Sequence, residues 1–529
     1  MQNWRHHALI PLTFGLFVAI GILVFAPGLT GGFAFDDFPN IVLNESVTIT
    51  AATPETLFEA AFSIRSGPLY RPVSMMTLAL NHVAHGLHPY GWKLTNVLIH
   101  IAVALSVMAL ARLVFTAPSR AIPTTSSVGA TWAALVCGLV FLVHPFNLTP
   151  ALYVVQRMTS LCALFSVLSV CAYVNARRAD LLGNNPLVGL GWFAASGVFA
   201  VLGILSKEAA AALALLLPVT EATLFGFESR SRHLGRVLRL GHAASILAFL
   251  AALLTVSGLA TGSWEAKYAA REFSLPERLL TEGRVILFYL GQTLLPRVPE
   301  MGLYHDDFRA SSGPFDPPST VFAWLAIIAA VGAAVRWRRR FPLAAFGVLW
   351  YFAGHVLEST VVPLELVHEH RNYLPSAGLI IAGTGLAAAA LTSARPRVTV
   401  VAGLAPLLVL AAATTSRAQT WSDPVTLALV EAEQSPDSPR SVYRVAYAYH
   451  GLYLMNGDKK ALEQAIAWLE KAAAKDPTSV TPLFELARIL SIEGEAPPAR
   501  YIDELRERLR EHRLQPAEID YFRRLIPCL

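Results

Sequence analysis

Residues 8–415 carry eleven apolar stretches, near 8–28, 93–115, 129–145, 151–174, 186–205, 208–226, 240–260, 321–335, 342–360, 374–391 and 397–415. Each approaches the roughly 17–25 residues that an α-helix needs to cross a bilayer. In hydrocarbon the backbone must satisfy its own N–H and C=O groups, which a helix does alone and an isolated strand cannot. The pattern therefore implies an all-α polytopic membrane protein of about eleven crossings. Composition agrees, since only 15% of the 529 residues are charged, against about 25% in a soluble domain.

Arginines sort the loops. Arg112 with Arg120, Arg177 with Arg178, the group Arg230, Arg232, Arg236 and Arg239, the group Arg336, Arg338, Arg339 and Arg340, and Arg395 with Arg397 fall in alternate loops. Lys and Arg collect in short cytoplasmic loops, so the N-terminus is expected inside and the C-terminus outside. The first stretch follows Arg5, His6 and His7, and no A-x-A-like site comes after it. It exceeds the roughly 7–15 residue core of a cleaved signal, so it reads as a retained signal anchor. The expected external regions are 29–92, 261–320, 359–372 and everything beyond about 416. Within the second, "RVILFYLGQTLL" at 284–295 is apolar but short. Counting it as a crossing would place the "RWRRR" run outside, so an interfacial or re-entrant helix is expected. Cys137, Cys162, Cys171 and Cys528 show no disulfide, CxxC or metal-ligand spacing.

From Trp421 the composition becomes that of a soluble helical domain. "ALEQAIAWLEKAAAKDPTS" sets Ala465, Leu469, Ala472 and Pro477 at the spacing of the second helix of a tetratricopeptide repeat. "VTPLFELARILSIEGEAPPA" restarts the pattern, which then dissolves into "YIDELRERLREHR", a charged helix that reads as a solvated cap. Two repeats are fewer than the roughly three that an independent solenoid needs. A helical hairpin packed on the membrane domain and a peptide-binding groove are both open readings.

Polar residues recur beside the outer ends of the spans. "FAFDDFPN" holds Asp36 and Asp37; "YRPVSMMTLALNHVAHGLHPYGWKLTNVLIH" holds Arg71, Asn96 and His100. "HPFNLTPALYVVQRMTSL" adds Gln156 and Arg157, "SKE" adds Lys207 and Glu208, and "LELVHEHRNYLPSAG" adds His368, Glu369, Arg371 and Tyr373. Each group has a plain structural reading: helix caps for the span ends, an interhelical hydrogen-bonding pair for Asn96 and His100, a self-neutralising turn for Lys207 and Glu208. The histidine-rich text lacks the carboxylate set that would fix a metal. Taken together the groups complement one another. Charges near a bilayer are costly and tend to pair or line cavities. Two carboxylates with Arg71, Arg157, Lys207 and Arg371 on one face suit an anionic, lipid-borne substrate, with cations holding phosphate and a carboxylate taking a proton from a hydroxyl.

In order along nearly the whole chain, these motifs resemble the membrane-and-tetratricopeptide-repeat O-mannosyltransferases, within the wider GT-C fold of polyprenyl-phosphate-sugar glycosyltransferases. The resemblance implies a GT-C-type transmembrane domain at 1–418 and a small tetratricopeptide-like helical domain at 419–529. It implies an inverting transfer without metal or cofactor, from a polyprenyl-phosphate-linked sugar to a protein or cell-envelope hydroxyl, Ser or Thr of a protein being the first expectation. Asp36 and Asp37 match the base position, Asp36 leading and Asp37 supporting. Arg371, Lys207, Arg71 and Arg157 would contact the donor phosphate. Glu208, Gln156, His100, His368, Glu369 and Tyr373 would support them. The Gln156-Arg157 pair stands where relatives commonly have Gly-Arg, and the repeat array is shorter than in the animal members, so sugar and acceptor stay open. The Arg/Ala-rich style suits a bacterial inner membrane, with a cytoplasmic N-terminus, a periplasmic C-terminal domain and an undecaprenyl carrier. Membrane lipids are expected partners and nucleic acid is not. Two other readings are a lipid or envelope-polysaccharide acceptor on the same fold, and a non-catalytic membrane scaffold whose tail recruits envelope enzymes.

Overall fold

A computed structural model of the chain describes residues 2–64, 67–117, 127–269, 271–494 and 496–511, together with 514 and 519. Arg120 and Cys528 lie outside the described residues. Among the described residues the structure is helical throughout and carries no β-strand, only an isolated bridge between Gly313 and Asp316. The chain divides into two compact units. One comprises Met1–Trp264, Leu275–Val298 and Ala310–Ser422; the other comprises Glu265–Ser274, Pro299–Arg309 and Asp423–Leu529.

In the first unit, nine helices among the described residues are long and apolar enough to cross a membrane, or ten if one bent pair counts as a span. The bent pair, Val128–Leu142 and Pro145–Leu152, breaks by 59°. Pro145 disfavours a helical residue before it, and His144 is accordingly extended, its Nδ1 accepting the Phe146 N–H at 3.2 Å. The expected ninth crossing, 342–360, is a helix of only 14 residues, Pro342–His355. Past its end, the buried Arg278 guanidinium donates to the carbonyls of Glu358, Thr360, Leu364 and Glu365. The stretch at 208–226 is segmented into a 3-10 turn Glu208–Ala212, a helix Leu213–Thr220 and a π turn Glu221–Phe225. Pro218 lies inside it and cannot donate a helical hydrogen bond.

The apolar text at 284–295 is the second half of a longer helix, Leu275–Leu294, which buries Arg278, Thr281, Glu282 and Gln292 and does not qualify as a span. The helix Arg157–Leu182 packs against both Pro89–Phe115 and Pro186–Ser206, and Pro342–His355 packs against Tyr373–Ala390. Small residues let that last pair approach: a Cβ on Gly378 would lie 2.4 Å from the Trp350 ring, the close packing that small residues allow between membrane helices.

Arg177, taken above as a loop charge, is a correction. It lies inside Arg157–Leu182 and is wholly buried, because Glu221 meets its Nε at 2.8 Å and Asp180 its Nη1 at 2.6 Å, while Tyr173 donates to Glu221 at 2.7 Å. A charge so deep persists only when paired.

The second unit contains the helices Pro424–Gln434, Pro439–Asn456, Lys459–Lys475, Thr481–Ile492 and Ala499–Glu511. Successive helices pack on one another, with Ala446, Leu469, Leu483, Leu486 and Ile489 in a shared core. The final charged helix is more than a solvated cap. It buries Tyr501 in that core, and Arg508 donates to the carbonyls of Ala473, Asp476 and Ser479. The segment 299–309 belongs to this unit: the Leu303 N–H bonds Glu431 at 2.7 Å and Ser435 donates to the Tyr304 carbonyl at 2.9 Å.

Candidate active site

The two aspartates are adjacent in sequence but opposite in environment. Phe35 has φ +42°, a left-handed conformation rare outside glycine, and it reverses the chain just past the first span. Asp37 closes the turn twice: its N–H donates to the Ala34 carbonyl at 2.8 Å, and its carboxylate accepts the Ala34 N–H at 2.9 Å. Its other oxygen accepts the Val155 N–H at 2.7 Å. Asp37 is 1% exposed and Asp36 is exposed. Burial pushes the Asp37 carboxyl up to about 7, against the opposing pull of the Ala34 and Val155 N–H groups and of Lys93. Lys93, on Pro89–Phe115, is buried and donates to the carbonyls of Gly28 and Trp421 at 3.1 and 3.4 Å.

The segment 153–159 joins this turn to the cations. At one end the Tyr153 hydroxyl accepts the Asp36 N–H at 2.8 Å, and Val155 holds Asp37. At the other end the Met158 sulfur accepts from Arg71, and Thr159 accepts from Lys207 at 3.2 Å while donating to Gln156 at 2.8 Å. Non-helical backbone at Tyr153 and the 3-10 turn Val154–Gln156 aim these groups in different directions.

Lys207 and Glu208 do not neutralise each other. Lys207 pairs with Glu358 at 2.9 Å and Glu208 with Arg71 at 2.9 Å. Extended backbone at Lys207, between two helical segments, turns the adjacent side chains apart. Burial alone would raise the Glu358 carboxyl, yet Lys207, Arg371 and Arg71 together hold it below the usual carboxylate range. Three of the four expected cations thus act on one carboxylate, with Lys207 in direct contact. Arg371 also donates to the carbonyls of Glu365 and Leu366.

The remaining expected residues are wired into the protein. Arg157 is 0% exposed; its guanidinium bonds Asn96, the Thr77 carbonyl, Asn81 and the Trp92 carbonyl. His100 bridges the Tyr373 hydroxyl and the Leu142 carbonyl. Glu369 takes Arg417 on both oxygens at 3.1 Å and Thr149 at 2.6 Å. His368 pairs with Glu365 at 2.9 Å. Sequence reasoning did not single out Lys93, Tyr153, Thr159 or Glu358. A lone cation at the start of a span and a lone carboxylate at the end of one were the available signals.

Apolar spans whose ends share a cluster of carboxylates and cations define an integral membrane protein with a charged site at one face. No family model matches the chain. The chain is similar to human protein O-mannosyl-transferase TMTC4, 31% identical over 168 residues, covering 30% of this chain and 22% of that protein. It is similar also to mouse protein O-mannosyl-transferase TMTC2, 28% identical over 197 residues, covering 36% of this chain and 21% of that protein. The matched stretch thus spans about a fifth of either relative's length. These relatives agree with the resemblance carried by the motifs. Among solved structures, an Archaeoglobus fulgidus oligosaccharyltransferase tethered with an acceptor peptide covers 76% of this chain and 55% of its own, at 11% identity and TM-score 0.39. That likeness is too slight to transfer fold or function.

Proposed function

We propose that the chain is a GT-C-type glycosyltransferase, moving a sugar from a polyprenyl-phosphate carrier to a Ser or Thr hydroxyl of a protein at the outer face of the membrane. The carrying observation is the segment 153–159, which touches the Asp36-Asp37 turn at one end and the Arg71 and Lys207 cations at the other. The protein O-mannosyl-transferase relatives support the reaction class and the protein acceptor.

In this reading Asp36, exposed beside its buried neighbour, takes the hydroxyl proton as general base. The hydroxyl oxygen attacks the anomeric carbon from the face opposite the phosphate, and the carbon–oxygen bond to phosphate breaks. The phosphate leaves with the electron pair, inverting the anomeric centre and giving a glycoside and a polyprenyl phosphate. Arg71, Lys207 and Arg371 stabilise the charge growing on the phosphate, a preorganised electrostatic role. Glu208 and Glu358 hold those cations in place before the donor arrives. Asp37 and Arg157 act as scaffold. The buried Arg157 has its donors on protein acceptors, and Asp37 anchors the turn that presents Asp36. The step balances without a metal, a cofactor or a covalent enzyme intermediate.

The test is Asp36→Asn in proteoliposomes supplied with a synthetic polyprenyl-phosphate mannose, the sugar in the relatives' names, and a Ser/Thr-rich peptide. Transfer should fall at least a hundredfold while the thermal unfolding midpoint stays within a few degrees. Near-normal transfer would remove Asp36 as base.

A further inference from the structure

The helix Arg232–Ser257 carries a charged stripe that the site does not use. Arg232, Arg236 and Arg239 stand four and three residues apart, which is one line of a helix, and all three are exposed. The same line continues through Ala243, Leu247, Leu250 and Leu254 at steps of four and three. These are exposed too, Leu247 by 67%. The helix packs through a different line, in which Gly235, Leu238, Phe249 and Leu253 are buried. Side chains of a span that face no protein face the bilayer. Arginines and leucines therefore present one continuous surface to the same lipid.

The depth of the arginines follows from how this helix is held. The span Glu208–Phe225 begins at the Glu208–Arg71 pair, so the turn at 226–231 lies at the membrane face away from the charged site. The buried Arg177 donates to the Glu228 carbonyl and fixes that turn. His242 Nε2 lies 2.8 Å from the Tyr173 hydroxyl, which sets Arg232–Ser257 against Arg157–Leu182. Two crossings intervene, so these helices run in opposite directions. Arg232 lies ten residues before His242, and Leu182 nine after Tyr173, about 15 and about 14 Å along their helices. The arginines are thus level with the end of the span Val154–Leu182, where hydrocarbon gives way to headgroups.

Little protein charge opposes them there. Residues 226–240 hold four arginines, Arg230 among them, and one carboxylate, Glu228. Asp180 and Glu221 are taken by Arg177. Among the described residues none of Arg232, Arg236 and Arg239 meets a carboxylate. The Arg239 Nε donates only to the Gly235 carbonyl, at 3.0 Å. We infer that this stripe binds the phosphodiester headgroups of anionic glycerophospholipids in the leaflet away from the charged site, with Leu247, Leu250 and Leu254 against their acyl chains. The inference rests on the spans and not on the proposed chemistry. Guanidinium forks match phosphate oxygens, and basic clusters at the membrane surface recruit anionic lipid. A soluble acidic partner would reach the arginines but not the leucines, whereas a lipid reaches both.

Native mass spectrometry of the full chain, titrated with dioleoyl phosphatidylglycerol or dioleoyl phosphatidylcholine, tests this. The wild type should hold phosphatidylglycerol at least tenfold more tightly. Arg232→Gln with Arg236→Gln and Arg239→Gln should erase that preference. Arg336→Gln with Arg339→Gln and Arg340→Gln removes the same charge from other exposed positions and should keep it. The wild type needs no variant for a second measurement: its unfolding midpoint should rise by several degrees with phosphatidylglycerol and not with phosphatidylcholine. Equal binding of both lipids by the wild type would overturn the inference. Equal losses in the two triple variants would do so as well, because net charge and not the stripe would then act. So would an unchanged lipid preference in the stripe variant, and a dimer mass lost in that variant would then assign the stripe to a second copy.

Discussion

Two neighbouring aspartates with the same chemistry are given different work by a single left-handed residue, Phe35. Asp37 turns inward onto two N–H groups, and Asp36 stays exposed. The carboxyl of Asp37, raised to about 7 from its ordinary 3.8, carries a sign for stability. Because the folded value is the higher one, the native chain binds a proton that the unfolded chain releases. Stability is then full below about pH 4 and declines as pH rises toward 7. Asp37→Asn is neutral throughout and should flatten this decline. Thermal unfolding in detergent at pH 5 and pH 7.5 reads the effect, and an unchanged slope would count against it. Neighbouring carboxylates were visible in the text, but which one is buried was not, since burial depends on Ala34, Val155 and Lys93 arriving from three separate segments.

At the scale of elements, span ends are held by polar bonds that no periodicity announces. Lys93 ties the end of the first span at Gly28 to Trp421 after the last. Gly31 sits in that junction, and a Cβ there would lie 1.8 Å from the Trp421 carbonyl and 2.8 Å from the Lys93 amine. Gly31→Ala should therefore wedge the junction open, lowering the unfolding midpoint by several degrees and transfer by more than tenfold. Gly15→Ala, on the helix of the first span with nothing within 4 Å of its Cβ, serves as the control and should change neither. The spans themselves were legible because lipid demands long apolar helices. Their interruptions were not: Pro342–His355 stops short, and the irregular backbone beyond it is held by Arg278. The single expected region 261–320 is divided, with Leu275–Val298 and Ala310 onward in one unit and Pro299–Arg309 in the other.

Across the whole molecule, the second unit bears on the acceptor. If proteins are glycosylated and this helical unit engages them, removing Asp423–Leu529 should abolish transfer to a peptide. Binding of the polyprenyl-phosphate sugar to the membrane-embedded unit should remain. Undiminished peptide transfer by the truncated chain would shift the reading toward a lipid or polysaccharide acceptor.

Hydrophobic length and arginine spacing are local quantities, so the sequence by itself determined that this is a helical membrane protein and which text lies at the ends of its spans. Pairing is not local. That Lys207 would leave Glu208 for Glu358, and that Arg157 would be spent on Asn81 and Asn96, depended on residues more than sixty positions apart meeting in a medium where an unpaired charge is not tolerated. Only the tertiary structure decided those partners. The adjacent aspartates marked the place, and the buried segment 153–159 sets how it is built.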